Sequence, residues 1–176
     1  MTTTHDRALV LGGGGLAGIA WETGILLGLE RHGITLRSAD LIVGTSAGSA
    51  VAAQVAGPTS LDDLFTMQIE GAVQEIPGKV GPLNMLRLFR AGRGHRDERT
   101  ALVKVGALAL RARTVAEPVR RAVIEQRLPV HTWPEQALKI PATNARTGEV
   151  RVFDATDRVD LVDAVAASCA VPTVLG

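Results

Sequence analysis

Ser46 is the residue best placed to do chemistry. It stands in Gly44-Thr45-Ser46-Ala47-Gly48, the GxSxG spacing of a nucleophile elbow. A serine hydroxyl attacks an acyl carbonyl only when a turn holds it clear of its own backbone and donors wait for the oxyanion. Gly44 and Gly48 meet the first need, because a side chain two residues before or after the serine would collide inside a tight strand-to-helix turn. For the second need the chain offers a glycine loop upstream, Gly12-Gly13-Gly14-Gly15-Leu16-Ala17-Gly18, whose N–H groups can converge on an anion. Read alone, GTSAGS is also an ordinary small-residue turn. The pairing of the two clusters favours a nucleophile that faces an oxyanion hole.

The elements that must position these residues can be read around them. Leu41 to Val43 is an apolar run suited to a short strand covered on both faces, and Ala47 to Ala56 is an alanine-rich run suited to a helix. Ala8 to Leu11 is a second short strand. A helix follows it, with Leu16, Ile19, Leu26 and Leu29 at helical spacing, ending near Arg31 and His32 with Gly33 as a left-handed cap. Trp21 is expected in the core or on a pocket wall, and Glu22 has no assigned role. Gly57-Pro58 closes the helix after Ser46. Ser60, Asp62 and Asp63 cap the next one, expected to run to about Glu75. Thr114 and Glu117 have the spacing of a capping box, with Pro118 in the first turn of a helix to about Arg127. Ala137 to Thr143 and Glu149 to Phe153 form a strand pair around a turn at residues 146–148, with Asn144 as a turn former. Asp160 caps a small-residue helix from Leu161 to Ala170.

Four stretches carry a family resemblance: GGGGLAGIAWETGILLGL (Gly12 to Leu29), VGTSAGS (Val43 to Ser49), PATNARTGEVRVF (Pro141 to Phe153) and LVDAVAASCAVPTVLG (Leu161 to Gly176). In this order and spacing the chain resembles the patatin-like phospholipase family, most clearly at its two ends. The resemblance implies an α/β fold: a three-layer α/β/α sandwich on a mainly parallel central sheet. It implies Ser46 as nucleophile, Gly13, Gly14, Gly15 and Gly18 as the oxyanion loop, and Gly44, Thr45, Ala47 and Gly48 as the elbow. It also implies hydrolysis of acyl esters of lipids by a Ser-Asp dyad, with neither histidine, metal nor cofactor.

There are two departures from the family pattern. Where the family commonly has Arg or Lys before the last glycine of the first motif, this chain has Ala17, so the loop is held differently or binds a less anionic group. The family's catalytic aspartate belongs to a DGG or DGA motif beyond the AVP segment, and no Asp-Gly pair occurs here: Asp154, Asp157, Asp160 and Asp163 precede Ala, Arg, Leu and Ala. A serine without a base is a poor nucleophile. The expectation is therefore a domain over residues 7–176 truncated at its C-terminal side, inactive by itself and prone to self-association through an unpaired sheet edge. The oligomeric state is open.

Composition sets the remaining bounds. The chain has 176 residues, 46% of them hydrophobic, enough for one domain with a core. Cys169 is the single cysteine, so no internal disulfide forms and nothing demands an oxidising compartment. Among small apolar residues it reads as inert rather than nucleophilic. His5, His32, His95 and His131 have no metal-ligand spacing. No signal peptide or membrane-spanning run is evident, which predicts a cytoplasmic protein with peripheral membrane contact as an option. That option rests on residues 76–113, a basic helical insertion expected to hold a loop over 76–82, a short amphipathic helix from Leu83 to Arg90 and a second helix from Thr100 to Arg111. From residue 79 to 113 nine Lys or Arg face two acids, a local charge of +7. This segment reads either as a cationic flap on anionic lipid or as a solvated insertion kept soluble by its arginines. Nucleic acid is disfavoured because Phe89 is the one aromatic there.

Two other functions are open at this level. A glycine loop between strand and helix also describes a dinucleotide-binding module, but Asp40 precedes the second strand instead of ending it. The other is a non-catalytic lipid-binding or interaction remnant.

Overall fold

A computed structural model describes residues 6–71, 86, 88–91 and 97–173. The expected loop at 76–82, half of the helix proposed for 83–90 and the basic residues Lys79, Arg87, Arg93 and Arg96 lie outside these residues. The described elements are β1 (Ala8–Leu11), α1 (Gly15–Arg31), β2 (Leu41–Gly44), α2 (Ala47–Val55), α3 (Leu61–Ile69), α4 (Glu98–Ala109), α5 (Glu117–Arg127), β3 (Ala137–Thr143), β4 (Val150–Phe153) and α6 (Leu161–Ser168). The fold is α/β on a mainly parallel sheet ordered β1-β2-β3-β4, in which only β4 runs antiparallel.

Strand register explains which face is packed. Leu9, Ile42 and Leu138 lie side by side, as do Leu11 and Gly44. Leu11, Ile42, Gly44, Leu138 and Ile140 are buried on that face, where α2 packs across β1, β2 and β3, and α6 packs on β3. The alternate positions are more open: Leu41 and Val43 are half-buried, and Val10 is 71% exposed.

Helix α2 is the central pillar, with all nine residues buried. Alanine is what lets it lie so close to the sheet, since small side chains shorten the helix-to-strand distance and cost no rotamer entropy. Helix α1 buries Ile19, Glu22, Thr23, Leu26 and Leu27, a helical stripe turned toward α2 and α3. Leu16 and Trp21 lie off that stripe at 47% and 67% exposed, so Trp21 is not core, although it does line a groove beside β1. Gly33, at φ 81°, ends α1 as expected.

Three helix ends differ from expectation. Ser60 caps α3 by accepting the Asp63 N–H, but the helix stops at Ile69 because Gly71 takes a left-handed φ of 64°. Helix α5 begins at Glu117 with Ala116 as its N-cap and no side-chain cap bond, so Thr114 falls two residues too early to form a capping box. Asp160 occupies the N-cap of α6 without a side-chain cap bond, and α6 ends at Ser168. The β3–β4 turn forms as expected: Asn144 Oδ1 accepts the N–H groups of Arg146 and Thr147, and Gly148 takes φ 69°.

Candidate active site

Both glycine clusters lie at the carboxyl ends of adjacent parallel strands, β1 and β2, the edge where open α/β sheets place their ligands. They are also stitched together. The Thr45 N–H donates to the Leu11 carbonyl at 3.1 Å, and the Gly48 N–H to the Gly12 carbonyl at 2.8 Å. This contact is why the elbow needs its glycines. A Cβ at Gly48 would sit 2.4 Å from the Leu11 carbonyl, and one at Gly44 would sit 2.2 Å from the Gly48 carbonyl oxygen. Real side chains do not fit such gaps, so the motif spacing follows from the crossing of two backbones.

Ser46 itself holds φ 55° and ψ −121°, a left-handed conformation that costs a non-glycine residue about 1–3 kcal/mol. The surrounding structure holds it there by both backbone polar groups. The Ser46 N–H donates to Ser168 Oγ at 3.0 Å, and Ser168 Oγ donates onward to the Pro141 carbonyl at 2.7 Å. The Ser46 carbonyl accepts from Ser49 Oγ at 2.6 Å and from Cys169 Sγ at 3.2 Å. Cys169 is buried, and its thiol supports the elbow from behind. Neither Ser168 nor Cys169 carries a local signal for this role. Their only sequence clue is that both fall within the small-residue segment preceding Val171-Pro172.

With its backbone held this way, Ser46 stays half-buried, and its hydroxyl is bonded to no carboxylate or imidazole among the described residues. The glycine loop stands next to it: a Cβ on Gly13 would lie 3.6 Å from Ser46 Cβ and 4.0 Å from Ser46 Oγ. Gly14 precedes the first residue of α1, and a Cβ on it would come within 2.7 Å of Gly18 Cα. Gly15 takes φ 60° at the helix start, and a Cβ on Gly18 would lie 3.4 Å from Ala47 Cβ. No described residue accepts the N–H groups of Gly13 or Gly14. Helix α2 begins at Ala47, so its positive dipole end also points at the Ser46 hydroxyl.

Glu22 was not assigned a role from the sequence, and the structure places it at the base of this loop. Its Oε1 accepts the Gly12 N–H at 2.9 Å, while Oε2 is buried without a partner. Burial pushes the Glu22 carboxyl above the usual carboxylate range, with the Gly12 N–H partly opposing. Glu22 thus holds the loop from the helix side.

The four aspartates near the C-terminus are engaged elsewhere. Asp154 bonds Thr156, Asp157 bonds Arg151, Asp160 starts α6 and Asp163 bonds Arg121. Asp40 lies at the opposite end of β2, where Oδ2 accepts the N–H groups of Asp6 and Arg7. It is therefore remote from where a ribose-binding acid would have to stand. His32 and His131 make only local contacts, His32 with the Gly28 carbonyl and His131 with the Glu125 carbonyl and carboxylate. The described residues contain no group of three His, Cys, Asp or Glu that could hold a metal, and no described helix is long and apolar enough to cross a membrane.

A family model for patatin-like phospholipases matches residues 9–176. No curated protein matches the chain in sequence. Among solved structures, the chain is similar to the type III effector protein ExoU, with 20% identity and a TM-score of 0.46 over 93% of this chain. The matched region is 40% of the ExoU chain, so this sequence spans well under half of that relative.

Proposed function

The chain belongs to the patatin-like phospholipase family, and from that membership we propose a serine acyl-ester hydrolase acting on phospholipids or related acyl lipids. Ser46 Oγ attacks the ester carbonyl carbon as its proton passes to a base. The oxyanion is received by the N–H groups of Gly13, Gly14 and Gly15, with Gly18 keeping the loop close to α2. Collapse of the tetrahedral intermediate expels the alcohol and leaves an acyl-serine, which water then hydrolyses. The base is an aspartate from a DGG or DGA segment, which these 176 residues do not include.

The reading is carried by one observation, the 4.0 Å approach of a Gly13 Cβ position to Ser46 Oγ. It is tested by p-nitrophenyl ester turnover in a chain that continues through the missing motif. Turnover should fall by orders of magnitude in Ser46→Ala, and equal activity in the variant would refute the assignment. Peripheral contact with anionic membrane through residues 79–113 belongs to the same proposal.

The absence of an acid or imidazole on Ser46 among the described residues favours a second reading, a non-catalytic lipid-binding module. On that reading Ser46→Ala would leave every measurable property of the longer chain unchanged.

A further inference from the structure

We propose that Glu22 is the positioning residue of the oxyanion loop and that it acts as the neutral acid, fixing Gly12 without setting a negative charge behind the oxyanion. The proposal deepens the hydrolase reading above and rests on it.

Gly12 is held by both of its polar groups. Its N–H donates to Glu22 Oε1 at 2.9 Å, and its carbonyl accepts the Gly48 N–H at 2.8 Å. Packing adds little restraint there, since a Cβ on Gly12 would meet no atom within 4 Å. The Gly12 carbonyl and the Gly13 N–H belong to one planar trans peptide, so fixing the first aims the second away from Gly48. Gly13 is the loop residue that stands against Ser46, its Cβ position 3.6 Å from Ser46 Cβ. Glu22 therefore sets the direction of an oxyanion donor from the far side of the loop.

The surroundings decide the charge state. Glu22 is 7% exposed, and its Oε2 is buried without a partner. Leu9, Leu11, Ile25, Leu26 and Leu36 line the groove around it, with no other ionisable side chain among the described residues. Charged groups on the neighbouring elements lie farther off. Asp6, Arg7 and Asp40 cluster at the amino ends of β1 and β2, and Arg37 donates to the Gly57 carbonyl. Arg31 is nine residues farther along α1, roughly 13 Å, and pairs with Asp62 of α3. Asp63 bonds Ser60, Glu30 and Glu70 stand at the carboxyl ends of α1 and α3, and α2 has no charged residue. A carboxylate in this groove would keep one donor for two oxygens, whereas the acid buries no charge. Burial accordingly raises the Glu22 carboxyl above its ordinary range. An ionised Glu22 would also oppose the negative charge that develops on the substrate oxygen one residue away, at Gly13. The acid holds the same N–H without that opposition.

The test follows ester turnover against pH in a chain extended past Gly176, for wild type and for Glu22→Gln, which keeps an acceptor for Gly12 and never ionises. Wild-type kcat should fall about tenfold per pH unit above the ordinary glutamate range, with KM nearly constant because the charge opposes only the transition state. Glu22→Gln should lack this descending limb, and Glu22→Leu, with no acceptor, should lower kcat at every pH. A limb shared by wild type and Glu22→Gln, a wild-type profile without one, or a limb confined to KM would overturn the proposal. The Gly12 amide resonance of the 176-residue chain gives a readout that needs no turnover and, in wild type, no variant. It should titrate with a midpoint above the ordinary glutamate value and stay flat in Glu22→Gln; a midpoint at the ordinary value would also overturn the proposal. Failure of the hydrolase reading would show instead as turnover indifferent to Ser46→Ala, with the Gly12 titration intact.

Discussion

The N–H of Ser46 is held by the hydroxyl of Ser168 at 3.0 Å, across 122 residues of sequence. That hydroxyl also reaches the Pro141 carbonyl, so one side chain ties the strained elbow to both α6 and β3. Ser168→Ala leaves a part-buried N–H and a carbonyl without partners and should destabilise the protein by about 1–3 kcal/mol in urea denaturation. Ser168→Thr retains the hydroxyl and should recover most of the loss. An alanine variant as stable as wild type would mean that water replaces the serine at no cost.

Glycine substitutions should separate by what a methyl group would meet. At Gly44 and Gly48 it would overlap backbone atoms, whereas at Gly12 nothing lies within 4 Å. Gly44→Ala and Gly48→Ala should each lose about 1–3 kcal/mol or fail to fold, while Gly12→Ala stays close to wild type. Equal midpoints for all three would contradict the crossing of the two loops.

Glu22 should leave a signature in the pH dependence of stability. Its carboxyl is raised in the folded state by burial, so between the ordinary glutamate value and the raised one the folded protein binds more protons than the unfolded chain. Stability attributable to Glu22 is fully present below that interval and is lost as pH rises through it. Glu22→Gln keeps an acceptor for the Gly12 N–H without titrating. The variant should gain on wild type as pH increases above the ordinary glutamate value, read as a widening difference in melting temperature. A constant difference across that range would remove the buried-carboxyl explanation.

Membrane contact through the basic stretch can be examined by vesicle co-sedimentation. If Arg87, Arg90 and Arg93 meet anionic lipid, each contributes about 1 kcal/mol. The triple alanine variant should then bind phosphatidylserine vesicles up to about a hundredfold more weakly at low salt, with the difference shrinking as salt rises. Binding unaffected by the three changes would leave this segment as a solvated insertion.

What the sequence made legible was local. Gly44, Ser46 and Gly48 declare an elbow because its sterics are confined to five residues, and the strand-glycine-helix order of β1–α1 and β2–α2 follows from short-range apolar patterning. Ser168, Cys169 and Glu22 were missed as supports for a different reason. Their contacts join segments brought together only by the sheet register, and no periodicity reports such a contact. Of the two places open to Trp21, core or pocket wall, the structure takes the second, because the helical stripe of α1 passes beside it, and α3 stops early because Gly71 could turn left-handed where the pattern alone would have continued.

The central claim is that Ser46 is a presented nucleophile facing the main-chain donors of the Gly13 loop. Its most direct measurement is intact-protein and peptide mass spectrometry after treatment with a fluorophosphonate, using a chain extended past Gly176. A single adduct should map to the peptide containing Ser46 and should disappear in Ser46→Ala. A modification on any other serine, or one that persists in the Ser46→Ala protein, would contradict the account.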